Sequence, residues 1–166
     1  MQYESGSDKR AAETPSRDNM RKPRIIVFDD DSMILEMLKH YFSSKNFEVQ
    51  SFSEPILCPH DKGTGSCQNP CADIIITDYA MPRITGIELL DSQTKYGCAI
   101  HVKNKAIISG ELPDKYRDQM KGLVHTFFQK PLHMRDLYEW TKECIGRINL
   151  SLPLGNYSQT DGEEAS

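Results

Sequence analysis

Two apolar runs in this chain end in carboxylates. Residues 24–28, Arg-Ile-Ile-Val-Phe, stop at Asp29, Asp30 and Asp31, and residues 73–77, Asp-Ile-Ile-Ile-Thr, stop at Asp78. Short β-branched runs of this kind read as buried parallel strands. Ligands of open α/β sheets collect beyond the carboxyl ends of such strands. Four acids would then share one small volume, where like charges raise each other's pKa unless a cation joins them. Hard divalent cations such as Mg2+ or Mn2+ take carboxylate, carbonyl, water and phosphate oxygens. Ser109 and Lys130 stand at the ends of two further apolar runs. A hydroxyl and an ammonium group beside a metal suit a tetrahedral anion. A carboxylate can attack phosphorus and become an aspartyl phosphate. The set reads as phosphoryl transfer onto an aspartate.

Alternating elements must position these groups. Strands are predicted over 24–28, 47–52, 73–77, 105–109 and 126–129. A helix starts near Ser32, with Met33, Ile34, Met37, Leu38, Tyr41 and Phe42 on one face of a 3.6-residue period. Asp31 or Ser32 can cap it, and Asn46 stands where a left-handed residue closes a helix. Further helical regions are predicted over 86–95, 114–122 and 134–150. The last carries a stripe of Leu137, Thr141, Cys144, Ile145 and Ile148. The stretch 55–71 holds Pro55, Pro59, Gly63, Gly65 and Pro70, so the second helix of a regular alternation is short or replaced by an irregular loop. The pattern predicts a doubly wound α/β fold with a five-stranded parallel sheet in the order 2-1-3-4-5, flavodoxin-like. Its switch point lies between strands 1 and 3, which carry the acids.

The 166 residues suffice for one domain with its own core. A net charge of −4 argues against a nucleic-acid surface. No apolar stretch approaches the roughly 20 residues that span a bilayer. Five cysteines, an odd number, suit a reducing cytoplasm. Residues 1–22 are polar and read as a disordered arm, 23–150 as the domain, and 151–166 as a flexible tail.

The chain resembles a receiver domain of a two-component response regulator, CheY-like. The matching pieces are residues 26–32 (Ile-Val-Phe-Asp-Asp-Asp-Ser), 73–82 with Thr85-Gly86, 107–110 (Ile-Ile-Ser-Gly) and 127–132 (Phe-Phe-Gln-Lys-Pro-Leu). The resemblance covers about residues 23–150. It implies Asp78 as phosphoacceptor, Asp30 as direct Mg2+ ligand and Asp29 as the acid that holds the metal through water. The backbone carbonyl of Ala80 would be a further ligand. Ser109 and Lys130 would hold the phosphoryl group, with a cis bond before Pro131. Phe127 matches the aromatic switch position, where the family often has Tyr, and would fill the space that Ser109 vacates on activation. Asp31 matches no ligand position. The phosphoryl donor would be a sensor histidine kinase or a histidine phosphotransfer protein.

The downstream target would meet the face of helix 4, strand 5 and helix 5, near Lys121, Arg135 and Tyr138. The domain would be monomeric or dimerise on phosphorylation. It would be a signalling domain rather than an enzyme beyond its own phosphorylation and dephosphorylation. With about 14 residues after the last helix, it is expected to stand alone, acting by docking or as a relay intermediate.

Three readings compete with parts of this account. Asp29-Asp30-Asp31 holds the Asp-x-Asp spacing of a haloacid-dehalogenase-type phosphatase, whose nucleophile would be Asp29. A degenerate receiver could serve only as a scaffold. Cys58, His60, Cys67 and Cys71 have the right number and type for tetrahedral Zn2+, though they lack a Cys-x2-Cys pair; a loop with incidental cysteines is the alternative. Cys98 and Cys144 read as buried small apolar residues. His40, His101, His125 and His133 are scattered, and none resembles a phosphodonor histidine.

Overall fold

A computed structural model describes residues 20–55, 69–111, 114, 118, 120–124 and 126–155. Five strands form one parallel sheet: β1 (Arg24–Phe28), β2 (Glu48–Phe52), β3 (Ile74–Asp78), β4 (Lys105–Ser109) and β5 (Thr126–Gln129). Their order is β2-β1-β3-β4-β5, as the alternation of apolar runs predicts. Among the described residues three α-helices accompany them: α1 (Ser32–Ser44), α2 (Gly86–Lys95) and α3 (Met134–Ile145). A 3-10 turn, Val102–Asn104, leads into β4.

Side chains alternate across a strand, so each apolar run feeds two cores. Ile25 and Val27 of β1, Ile74 and Ile76 of β3, and Ala106 and Ile108 of β4 meet Leu35, Leu38 and Phe42 of α1 and Leu137, Trp140 and Cys144 of α3. Ile26, Phe28, Ile75 and Ile107 meet Ile87, Leu89 and Leu90 of α2 on the other face. Burial on both faces explains why these strands are continuously apolar.

Several local expectations differ from what is found. The buried stripe of α1 is Leu35, Leu38 and Phe42, flanked by half-buried Ile34 and Tyr41. Met33 and Met37, assigned to the buried face, are 79% and 42% exposed. The helix begins with a broad apolar cluster, and the long unbranched methionines take its solvent edge. α3 stops at Ile145 rather than 150. The chain then tightens into three-residue turns, with Arg147 N–H donating to Cys144 O at 3.0 Å and Ile148 N–H to Ile145 O at 3.2 Å. In the predicted helix 114–122, residue 114 is 3-10, residues 118 and 120–122 form turns, Lys121 N–H donating to Asp118 O, and Gly122 takes φ +87°; residues 115–117 and 119 lie outside those described. No α-helix lies there among the described residues. Between β2 and β3, residues 56–68 lie outside those described.

The end of the sheet remote from Asp78 is tied by Asp73, which is buried. Arg21 grips its carboxylate with two bonds of 2.6 and 2.8 Å, and Arg24 N–H adds a third of 2.8 Å. Arg21 Nε also donates to Leu152 O at 2.6 Å, and Gly155 N–H to Pro70 O at 2.9 Å. Residues 20–22 and 149–155, which the sequence reading divides among arm, domain and tail, thus meet beneath β3. Asn104, fully buried, donates to Asp73 O and Cys144 O and joins β4 to α3.

The corrected face of α1 is testable by urea unfolding. Leu38→Ala is expected to cost about 2–5 kcal/mol, whereas Met33→Ala should stay within about 0.5 kcal/mol of the parent. Similar losses in both would contradict the burial described.

Candidate functional site

Strand register brings the acids together. Phe28 pairs with Thr77, so Asp29 and Asp78 follow at the same level. Asp78 pairs with Ile108, and Ser109 with Gln129, so Ser109 and Lys130 end their strands beside it. Carboxylate oxygens of Asp29, Asp30 and Asp78 lie within 4.8 Å of one another. Asp29 and Asp78 are buried, while Asp30 faces solvent. Lys130 Nζ stands 2.7 Å from Asp78 Oδ1 and 3.4 Å from Asp29 Oδ2. The Lys130–Pro131 bond is cis, as the resemblance implies.

The electrostatics follow from this crowding. Burial pushes the carboxyl of Asp29 above its ordinary range. The Asp31 N–H, donating to Asp29 Oδ1 at 2.9 Å, opposes that rise. The charge of Asp78 adds to it, and Lys130 opposes it. Burial alone would lower the Lys130 ammonium, but its hydrogen bond to Asp78 and the charges of both acids outweigh burial and hold it above its usual value. Two buried carboxylates against one lysine leave the cluster short of positive charge. Three oxygen donors at this spacing suit a hard divalent cation. Asp29, Asp30 and Asp78 are the residues that could hold it, with Ala80 two positions beyond Asp78 in the loop to α2.

That loop is tightly specified. Tyr79 N–H donates to Ile108 O at 2.8 Å and Gly86 N–H to Tyr79 O at 2.9 Å. A Cβ on Gly86 would fall 2.4 Å from the Asp78 carbonyl oxygen, so only glycine fits there. Thr85 and Glu88 form a capping box at the start of α2. Ile84 N–H donates to Pro82 O, closing a three-residue turn around Arg83 at φ +75°. The Thr-x-x-Glu spacing of 85–88 was a readable helix-start signal. The contact of Gly86 with Asp78 had none, since it depends on tertiary approach.

Ser109 is buried beside the cluster, but its hydroxyl donates to Glu111 O at 2.8 Å. Nothing in the sequence indicates Glu111 as its partner. Phe127 is half-buried against the α2-side core. It pairs with Ile107, two positions before Ser109, so the two side chains share a sheet face. Asp31 caps α1, accepting from Met33 N–H at 2.9 Å. Tyr138 lies on α3, the last helix, with its ring 6.2 Å from that of Tyr41 of α1 and 5.3 Å below Lys45 Nζ. Lys121 and Arg135 are exposed. Of the candidate zinc ligands, Cys58, His60 and Cys67 lie outside the described residues, and Cys71 is buried in the α2-side core. No helix among the described residues is long and apolar enough to cross a membrane.

Comparison with known proteins bears on the family and the fold. Residues 25–142 match the family model described as the response regulator receiver domain. A putative two-component response regulator of Arabidopsis thaliana is 24% identical over 122 residues, which are 74% of this chain and 19% of that protein. The chain therefore spans about a fifth of that relative. A two-component response regulator of Oryza sativa subsp. japonica is 23% identical over 71% of this chain and 94% of its own length. Among solved structures, a receiver domain protein of Clostridium thermocellum is 26% identical, with a TM-score of 0.59 over 75% of this chain and 95% of that one. A Thermotoga maritima response regulator, solved in complex with Mg2+-BeF, is 21% identical, with a TM-score of 0.55 over 74% of this chain and 98% of its own; it supports the fold alone. By the family match over most of its length and a sheet of the same order, this chain belongs to the response regulator receiver domain family.

Proposed function

We propose that the protein accepts a phosphoryl group on Asp78 from a phosphohistidine of a sensor kinase or histidine phosphotransfer protein, and passes the change to a partner protein. The observation that carries this reading is the carboxylate cluster of Asp29, Asp30 and Asp78, with Lys130 held 2.7 Å from Asp78. In the reaction, an Asp78 oxygen forms a bond to phosphorus while the P–N bond to the donor imidazole breaks, and the electron pair leaves with the imidazole nitrogen. Mg2+ or Mn2+ held by Asp29, Asp30, Asp78 and the Ala80 carbonyl would supply the positive charge that the phosphoryl oxygens need. Lys130, already ion-paired to Asp78, would move its contact onto the new phosphoryl oxygens.

The phosphoryl group adds close to two negative charges and strong acceptors. Ser109 would exchange its bond to Glu111 O for one to a phosphoryl oxygen. Phe127 shares that sheet face and would follow into the space released. The readout surface is the one around β5 and the first turn of α3, with Lys121 and Arg135 at its exposed edge. Phe127 has no hydroxyl to anchor either position, so packing alone would set its balance. A cytoplasmic location fits this role and the unbridged thiols of Cys98 and Cys144. Membership in the receiver family leaves the phosphatase reading, with Asp29 as nucleophile, without support.

Acetyl phosphate with Mg2+ is expected to add one phosphoryl group, read by intact mass, in the wild-type protein. EDTA or Asp78→Asn should abolish the gain, and persistence in Asp78→Asn would sink the proposal. The cluster also sets a pH dependence. Because burial raises the Asp29 pKa in the folded state, its ionised form costs stability at neutral pH. That cost is absent below the unfolded value of about 3.9 and complete above the folded one. In EDTA at pH 7, Asp29→Asn should therefore raise Tm by a few degrees, the gain vanishing as pH falls below about 4. An unchanged or lower Tm at pH 7 would contradict the reading.

A further inference from the structure

A cavity of about 250 Å3 opens at the end of the sheet remote from the carboxylate cluster. It sits where residues 20–22 and 149–155 meet beneath β3, between Asp73 and the turn that leads into β4. Asp73 and Asp78 bound the same strand, so the two sites lie about 17 Å apart along it. None of the phosphoryl-transfer residues lines it.

The wall is divided by chemistry. Ile100, Ile148, Leu152 and Pro153 make its apolar side, and Arg147, His101, Asn104 and Asn149 its polar side. The bonds already made in the polar part decide what it can take. Asp73, the only carboxylate in the lining, accepts three N–H bonds from Arg21 and Arg24 and is 4% exposed. It has little left to offer a cation. Arg21 has four of its five N–H groups engaged by Asp73, Lys22 O and Leu152 O. Asn104 is satisfied by Asp73 O, Cys144 O and Arg147.

Arg147 is different. Its Nη1 reaches Asn104 Oδ1 at 3.3 Å and Cys144 Sγ at 3.7 Å, and its Nη2 reaches the exposed Glu143 at 3.4 Å. Its Nε–H and the second Nη2–H have no partner among the described residues. Nε and Nη2 flank one edge of the guanidinium, the fork that matches a carboxylate, with Glu143 at its Nη2 end. The Asn149 carboxamide oxygen accepts from Ser151, which leaves its NH2 group to donate. The His101 Nδ1 accepts from Lys103 N–H, so its Nε2 carries the proton and donates. The unspent capacity of Arg147, His101 and Asn149 is thus made of donors, set against an apolar surface; Asn69, also in the wall, has a carboxamide that can donate or accept.

We propose that this cavity binds a small organic carboxylate, its two oxygens on the Nε–Nη2 edge of Arg147 and its hydrocarbon part against Ile100, Ile148 and Leu152. The volume lies just below the usual range for ligand pockets, so the ligand class is a short-chain monocarboxylate. The ligand would also bridge the two segments, 20–22 and 149–155, that close the cavity.

The test is a titration of the full chain with sodium butyrate at constant ionic strength, followed by backbone amide NMR shifts. Saturable shifts confined to residues around 72, 100, 104 and 148 are expected. Butyramide, which has the same shape without the charge, should bind at least about tenfold more weakly, as loss of a charge-assisted pair implies. Arg147→Met keeps the apolar stem and should lose a similar factor. Should that variant not fold, Arg147→Lys keeps the charge, loses the fork and should still weaken butyrate binding. Absence of saturable shifts, equal binding of butyramide, tighter binding of inorganic phosphate, or undiminished binding in both variants would overturn the proposal.

Discussion

The contact of Lys130 with Asp78, 2.7 Å long, holds the site in a condition it could not otherwise keep. Two buried carboxylates stand side by side at the ends of β1 and β3, and one ammonium group serves both. Desolvation disfavours each charge, and the neighbouring acid adds to the cost. The lysine offsets part of it from the far edge of the sheet, at the end of β5. A deficit of positive charge remains, and that deficit is what suits the cluster to a divalent cation.

The fold serves this arrangement through register. A shift of one residue in a strand would move its side chains to the opposite face. Asp29, Asp78, Ser109 and Lys130 converge only because β1, β3, β4 and β5 end at matched levels. The apolar faces enforce the match, since Ile25 and Val27, Ile74 and Ile76, and Ala106 and Ile108 must all reach the same core. At the loop after Asp78, Gly86 lets the start of α2 press against the acid's own carbonyl. At the opposite end, Asp73 holds Arg21, which also reaches Leu152 O, and Asn104 ties that end of the sheet to α3.

Much of this was legible in the residues. Buried parallel strands leave continuous apolar runs, so β1, β3 and β4 fell within a residue of their expected bounds. The polar residues closing those runs named the site, because a parallel sheet collects strand ends at one edge. What failed did so for tertiary reasons. Met33 and Met37 are as apolar as Leu35, and only the packing against β1 and β2 decides which of them is buried. Of the predicted helix over 114–122, residue 114 is 3-10, residues 118 and 120–122 are turns, and the other four lie outside the described residues. The partner of Arg21 lies 52 positions away at Asp73, and no local pattern announces such a pair. Ser109 was found by its place, but its bond to the Glu111 carbonyl was not, since any backbone carbonyl could have served.

Acids that stand as equals in the sequence have unlike proposed roles: Asp29 and Asp30 would hold a cation, and Asp78 would react. Borohydride reduction of the phosphorylated protein, followed by peptide mapping, separates them most directly, because an aspartyl phosphate is converted to homoserine where it stands. The account predicts homoserine at position 78 alone. Homoserine at position 29 or 30 would contradict it.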